Sequence, residues 1–185
     1  MTDPGPAAEV GTVVGLHRKP EVPGERGLPK RPVDALRVEL GGVEGDFNRW
    51  RQEERTGDPA MALLLLPVET IEALGRDGWP VRPGDLGENV TTRGLRYDAM
   101  APPHRFRFGS VVAEVSKACD PCSNLYGLPY VGAARGPDFL RATLGRRGWY
   151  ARVLQAGTVR VGDPIRRISG AGGEPVGELP LGRSV

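Results

Sequence analysis

A mainly β fold that closes into a barrel is what this 185-residue sequence predicts, on three observations. Short runs of strand-forming residues recur between Gly- and Pro-containing turns along most of the chain. Only two or three short stretches carry helical spacing. Strands and helices do not alternate as a doubly wound α/β sheet would require. A barrel also removes exposed sheet edges. The length suits one domain with a full core and is short for two.

Taken in order, residues 10–17 are rich in β-branched side chains and read as the first strand. A Pro/Gly-rich excursion runs to Pro32. Residues 33–40 then alternate, with Leu36, Val38 and Leu40 on one face and Arg37 and Glu39 on the other, and stop at Gly41-Gly42. Residues 60–66 are an unbroken apolar run, short enough for a strand buried on both faces. Pro67 opens a helix through Gly75 with Glu69 in its first turn and Ile71 and Leu74 toward the core. Brief strands follow at 90–92, 105–108 and 110–117. Residues 137–145 read as a short helix, with Pro137 in the first turn and Gly145 as terminator. Three strands, at 150–155, 158–161 and 165–168, close the domain, which spans residues 10–168. Residues 1–9 and 169–185 hold almost no large apolar side chain and read as flexible tails.

Composition excludes several classes. With 39% hydrophobic and 26% charged residues and no apolar run near the roughly 18 residues of a membrane span, a membrane protein is not expected. The N-terminus has neither the basic start nor the apolar stretch of a signal peptide, so the expected location is cytoplasmic. A net charge of +2, with no run of five basic residues, gives no case for nucleic acid. Only Lys19, Lys30 and Lys117 among the 25 basic residues are lysine. Base composition explains such a bias, although arginine's planar fork also suits phosphate and carboxylate groups.

Four clusters place small or polar residues beside strand ends, where the loops of a barrel would gather them into one mouth. The first, residues 41–48, has three glycines with Asp46 and Asn48 as polar ends; a bare hairpin would explain it equally well. The second, residues 84–95, holds Glu88, Asn89, Thr91, Thr92 and Arg93, a set suited to a phosphate or pterin and also common in surface loops. The third carries the chain's two cysteines, Cys119 and Cys122, three apart around Asp120-Pro121. Such a pair can carry sulfur, bind a soft metal, cycle as a disulfide, or pack inertly. Zinc would need four ligands, and only His17 and His104 remain to supply histidine. Thioredoxin-like cycling would need a βαβ context. Lys117 would lower a nearby thiol's pKa and Asp120 would oppose it. The fourth cluster, residues 148–164, is hairpin-like, with Arg152 free to face solvent or a pocket.

In this order the clusters resemble the MOSC family, the domain found at the C-terminus of molybdenum cofactor sulfurases and in many small stand-alone bacterial proteins. The G-x-x-G-D segment is similar to residues 42–46, G-E-N-x-T-T-x-G-[IL] to residues 87–95, the P-C motif to Pro121-Cys122, and R-V-L-x-x-G-x-[VI]-x-x-G-D to residues 152–163. The resemblance implies a β-barrel and association with molybdenum and its pyranopterin, the molybdenum cofactor. It also implies one functional cysteine, by position Cys122, which ligates the metal or carries a persulfide, with Cys119 as a second candidate catalytic thiol. Cofactor contacts are then expected from Asp46, Asn48, Asn89, Thr91, Thr92 and Arg152. Two departures stand out: Cys119 occupies a place where some members carry arginine, and Asn48 one where many carry histidine.

The implied activity is that of a small oxidoreductase reducing N-hydroxylated compounds, with a small-molecule substrate and an electron-donor protein. The alternatives are a sulfur carrier charged on Cys122 by a cysteine desulfurase and a non-catalytic module for a small anion. Pyridoxal phosphate is not expected, because the part of the sulfurases that uses it is a separate domain.

Overall fold

The computed structural model describes residues 8–25, 27–47 and 56–168, so Asn48 and nearly all of the two expected tails lie outside the described residues. The chain begins with β1 (Glu9–Arg18), where Thr12, Val13 and Val14 favour a pleated backbone. β2 (Arg31–Pro32) pairs with its end, and β3 (Ala35–Glu39) and β4 (Gly42–Val43) make a tight hairpin. Then come β5 (Leu63–Pro67), α1 (Val68–Arg76), β6 (Val90–Arg93), β7 (Arg105–Phe108) and β8 (Val111–Ala118). The remaining elements are α2 (Gly132–Thr143), β9 (Trp149–Gln155), β10 (Gly157–Arg160) and β11 (Pro164–Ile168).

Seven strands close into a barrel in the order β11-β7-β8-β9-β5-β6-β1, with β1 pairing back onto β11. Every neighbouring pair in the ring is antiparallel except β5–β6, the pair joined through α1, since parallel neighbours need a crossover connection. A second sheet, β10-β3-β4, packs onto the barrel core through Leu36, Val38 and Val159. The mainly β barrel expected from the turn-rich pattern is therefore the fold of the chain.

Two apolar clusters share β5, all of whose residues are buried. Leu63 and Leu65 join Phe106, Phe108, Val115 and Val153 in the barrel core, while Leu66 joins Leu74, Trp79, Leu125 and Phe139 in a helical lobe outside it. Each such side chain contributes roughly 1.5–3 kcal/mol by leaving water. Within the lobe, Trp79 packs on Phe139 with ring centroids 4.8 Å apart. Residues 119–148 leave the barrel after β8 and return at β9, and the two ends of the excursion are ladder partners, Ala118 with Trp149.

Three sequence expectations change. The second helix begins at Gly132 rather than Pro137, which lies inside it. Glycines at 132 and 136 disguise its first turns, because their intrinsic helix propensity is low. The stripe of Gly136, Phe139 and Thr143 that the lobe buries outweighs that penalty. Gly136 is also required sterically, since a Cβ there would sit 2.4 Å from the Tyr126 ring. The apolar run at 60–66 is split: Asp58 caps a 3-10 turn at Pro59–Met61, and the strand starts at Leu63. Leu40 lies beyond the end of β3 and is 58% exposed rather than aligned with buried Leu36 and Val38. Among the described residues no helix is long and apolar enough to cross a membrane.

Candidate functional site

A cavity of about 610 Å³ opens where the barrel meets the helical lobe. All four sequence clusters reach it, through Phe47, Gly87, Cys122 and Tyr150. Gly87 and Cys122 belong to the motifs themselves, whereas Phe47 and Tyr150 are neighbours of emphasised residues, and the emphasised ones divide into three groups.

Asp46 and Asn89 form a buried corner beneath the cavity. The Asp46 carboxylate accepts from Lys30 Nζ at 2.5 Å, from Asn89 Nδ2 at 2.9 Å and from the Lys19 backbone N–H at 2.7 Å. Asn89 Oδ1 accepts from the Leu64 amide, and its Nδ2 donates to the His17 carbonyl. These side chains fix the β1, β5 and β6 ends, and of the group only Lys30 and Leu64 line the cavity. Thr91 and Thr92 are buried in β6 and do not line it: Thr91 donates to Glu88 Oε1, and Thr92 Oγ1 has no hydrogen-bond partner among the described residues. Arg152 is solvent-exposed on β9, 3.9 Å from Glu114, and is also absent from the cavity wall. Period-two alternation explains this outcome, since buried Ala151 and Val153 flank it.

The cysteine loop forms the opposite corner. β8 ends at Ala118, and the Cys119 amide donates to the Gly148 carbonyl at 2.9 Å. Gly148 has φ +108°, and a Cβ there would lie 2.5 Å from the Leu65 carbonyl oxygen, so glycine is what allows this return of the chain. Cys119 is buried, and Cys122 is exposed at the cap of the 3-10 turn Ser123–Gly127. Burial pushes the Cys119 thiol up, with partial offset from Arg147 and from the Tyr150 hydroxyl, which donates to the sulfur. The same pairing, after burial, pushes the Tyr150 hydroxyl up.

The residue that sequence reasoning missed is Arg147. It is 7% exposed, lines the cavity, and donates from Nη1 to the Asp120 carbonyl at 2.7 Å and to Cys122 Sγ at 3.2 Å, and from Nε to the Leu86 carbonyl at 3.4 Å. Burial opposes its charge, but Cys119, Cys122 and Tyr150 outweigh that and raise its pKa. Lys117, the cation expected at the thiol, instead pairs with Asp58 at 2.9 Å while lining the cavity. Nothing distinguished Arg147 from the other arginines in sequence, and its position follows from the β8–β9 pairing across the 30 residues between Ala118 and Trp149, which local pattern does not reveal. 

Among the described residues no three His, Cys, Asp or Glu side chains cluster as a metal-binding group. A metal at this site would take one thiolate from the protein and its remaining ligands from elsewhere. The donor set does fit such a group: an exposed soft sulfur and three cations, Lys30, Lys117 and Arg147, line one cavity.

A closed seven-stranded barrel with a thiol and a guanidinium paired in a lobe-side cavity defines a small β-barrel protein with an exposed cysteine in its candidate site. Residues 52–166 match the MOSC domain, and the chain belongs to that family. Three of the four motifs lie inside the matched segment; residues 42–46 precede it. Among solved structures, the YuaD protein of Bacillus subtilis is 20% identical, with a TM-score of 0.66 over 84% of this chain and 93% of that one. YiiM of Escherichia coli is 24% identical, with a TM-score of 0.62 over 87% of this chain and 71% of that one. YiiM of Geobacillus stearothermophilus is 28% identical, with a TM-score of 0.60 over 89% and 76%. No curated protein matches the sequence.

Proposed function

We propose that this MOSC protein binds the molybdenum cofactor in the cavity, with Cys122 as a ligand to the metal, and acts as a small oxidoreductase on N-hydroxylated compounds. The observation that carries the reading is the exposed Cys122 sulfur beside Arg147 in a cavity also lined by Lys30 and Lys117. When bound, the cofactor supplies two-electron redox chemistry at its metal. The protein's part is to present one thiolate, steady it with the Arg147 guanidinium, and offer cations to the anionic end of the pterin. Asp46 and Asn89 serve by holding Lys30 at the wall. Thr91 and Thr92 serve by packing the strand beneath, and Asn48 follows Phe47, which lines the cavity. Family membership supports the cofactor; the substrate class rests on the resemblance alone.

Protein made in a cofactor-competent host, as wild type and as Cys122→Ala, tests the assignment by elemental analysis. Molybdenum is expected in the first and lost from the second; equal content in both sinks the metal-ligand role. Exposure of Cys122 at the protein surface also favours a second reading, transfer of persulfide sulfur from a cysteine desulfurase. Mass spectrometry after incubation with desulfurase and cysteine would then show one added sulfur on Cys122. Metal content and activity indifferent to both cysteines would leave a non-catalytic anion-binding module.

A further inference from the structure

Arg147 is compensated differently from the other cavity cations. Lys30 has Asp46 and Lys117 has Asp58, whereas no carboxylate pairs with Arg147 among the described residues. A guanidinium carries five N–H donors. In Arg147, Nε serves the Leu86 carbonyl and Nη1 serves the Asp120 carbonyl and Cys122 Sγ. Among the described residues no acceptor meets the two N–H groups of Nη2. Nη2 is not among the fully enclosed atoms that lack a partner, so it reaches the open cavity, which has room for a ligand.

We infer that Arg147 forms a subsite for a small oxyanion, sulfate-like in shape and charge, immediately beside the Cys122 sulfur. Nη2 and Nη1 share one carbon in a rigid plane, so an oxygen held by Nη2 lies next to whatever Cys122 holds through its sulfur. The site therefore selects substrates that bring an oxygen-rich, negatively charged end to the thiol. Asp120 also lines the cavity, and its negative charge tempers the attraction of the guanidinium for an anion without cancelling it. The subsite needs no metal and rests on the proposed function only where a metal oxyanion is the ligand.

Inorganic sulfate is the first probe, read by calorimetry and by protection of Cys122 from iodoacetamide, followed on the cysteine-containing peptide. Sulfate is expected to bind and to slow alkylation. Arg147→Met should weaken sulfate by about tenfold or more, the loss of a charge-assisted contact. Arg147→Lys should fall between, keeping the charge without the fork. Arg146→Ala, one residue away and paired with Asp77 on the surface, should bind sulfate as the wild type does. Asp120→Asn should tighten it. Absence of sulfate binding in the wild type, equal binding in Arg147→Met, or equal loss in Arg146→Ala would overturn the subsite. Should Arg147→Met fail to fold by circular dichroism, Arg147→Lys decides together with the wild-type Arg147 side-chain nitrogen resonances, which must shift on sulfate titration; unshifted resonances overturn it.

Molybdate is the second probe. Molybdate binding tighter than sulfate in the wild type, reduced to the level of sulfate in Cys122→Ser, supports both the subsite and the metal-ligand role. Molybdate equal to sulfate in both proteins removes the metal-ligand role and leaves the Arg147 subsite standing.

Discussion

Each corner of the cavity holds a buried cation at the wall, Lys30 in one and Arg147 in the other, and the two differ in how those cations are paired. At the strand corner, Asp46 takes three donors, and Lys30 and Asn89 are both tied to it. At the loop corner, Arg147 keeps donors in reserve and its sulfur partner, Cys122, stands exposed. The pairing around the Asp46 carboxylate fixes the backbone, although Thr92 Oγ1 and Glu88 Oε2 behind it have no partner, whereas the open donors of Arg147 face a cavity that can take a ligand. Both corners contribute to one pocket, but stability should depend on the first and chemistry on the second.

The strongest test of that contrast is Asp46→Ala. It leaves Lys30 buried without its counter-ion and should cost about 3–5 kcal/mol in urea denaturation. Changing both members, Lys30→Met with Asp46→Leu, should recover much of the loss, because the pair is then replaced by apolar packing. A double variant as unstable as the single one would mean that Asp46 matters chiefly through Asn89 and the Lys19 amide.

The next effect lies in pH dependence behind the same corner. Glu88 is pushed up to about 7 from 4.5, first by burial and against its hydrogen bonds from Gly84 and Thr91. A raised carboxylate binds its proton more tightly when folded. Its contribution is therefore complete below about pH 4.5 and is lost as pH rises toward 7. His17 is pushed down to about 4 from 6.5, first by burial and then by Lys30, so its contribution is complete above pH 6.5 and is lost as pH falls toward 4. The two slopes oppose each other between about pH 4.5 and 6.5, and wild-type stability should be nearly flat there. Glu88→Gln should expose the His17 slope, a rise of about 3 kcal/mol from pH 4 to 6.5. A flat Glu88→Gln profile would show that the two groups do not titrate as assigned.

Smaller effects belong to the loop corner and the outer wall. Cys122→Ala should change stability by no more than about 0.5 kcal/mol, because the side chain is exposed, even as it removes bound metal. A loss above about 2 kcal/mol would move Cys122 into the structural class and weaken the contrast. Arg152→Ala should change stability and anion binding least, within about 0.5 kcal/mol, because its contact with Glu114 is long and exposed.

Strand positions were legible in the sequence wherever period-two alternation or an apolar run met a turn, as in β1, β5, β7 and β8. The start of α2 was not, because tertiary packing of Gly136 and Phe139 decides it rather than local propensity. The site was legible as segments and less so as side chains. Cys122 could be singled out by its chemistry and its motif, and it does line the cavity. Asp46 and Asn89 carried the right polarity, but their groups are absorbed in fixing strand ends. Arg147 required knowledge of which strands pair, information that resides in long-range contacts.

That pairing has a further consequence. The outgoing stem of the 119–148 excursion carries both cysteines and the incoming stem carries Arg147, with the Cys119 amide and Gly148 carbonyl bonded across the base. The Cys122–Arg147 pair thus sits at the base of the excursion, whose tip is held by burial of Leu125, Leu128 and Phe139 in the lobe core. The β8–β9 ladder therefore fixes where the thiol and the guanidinium meet, and the lobe they carry shapes the cavity above them.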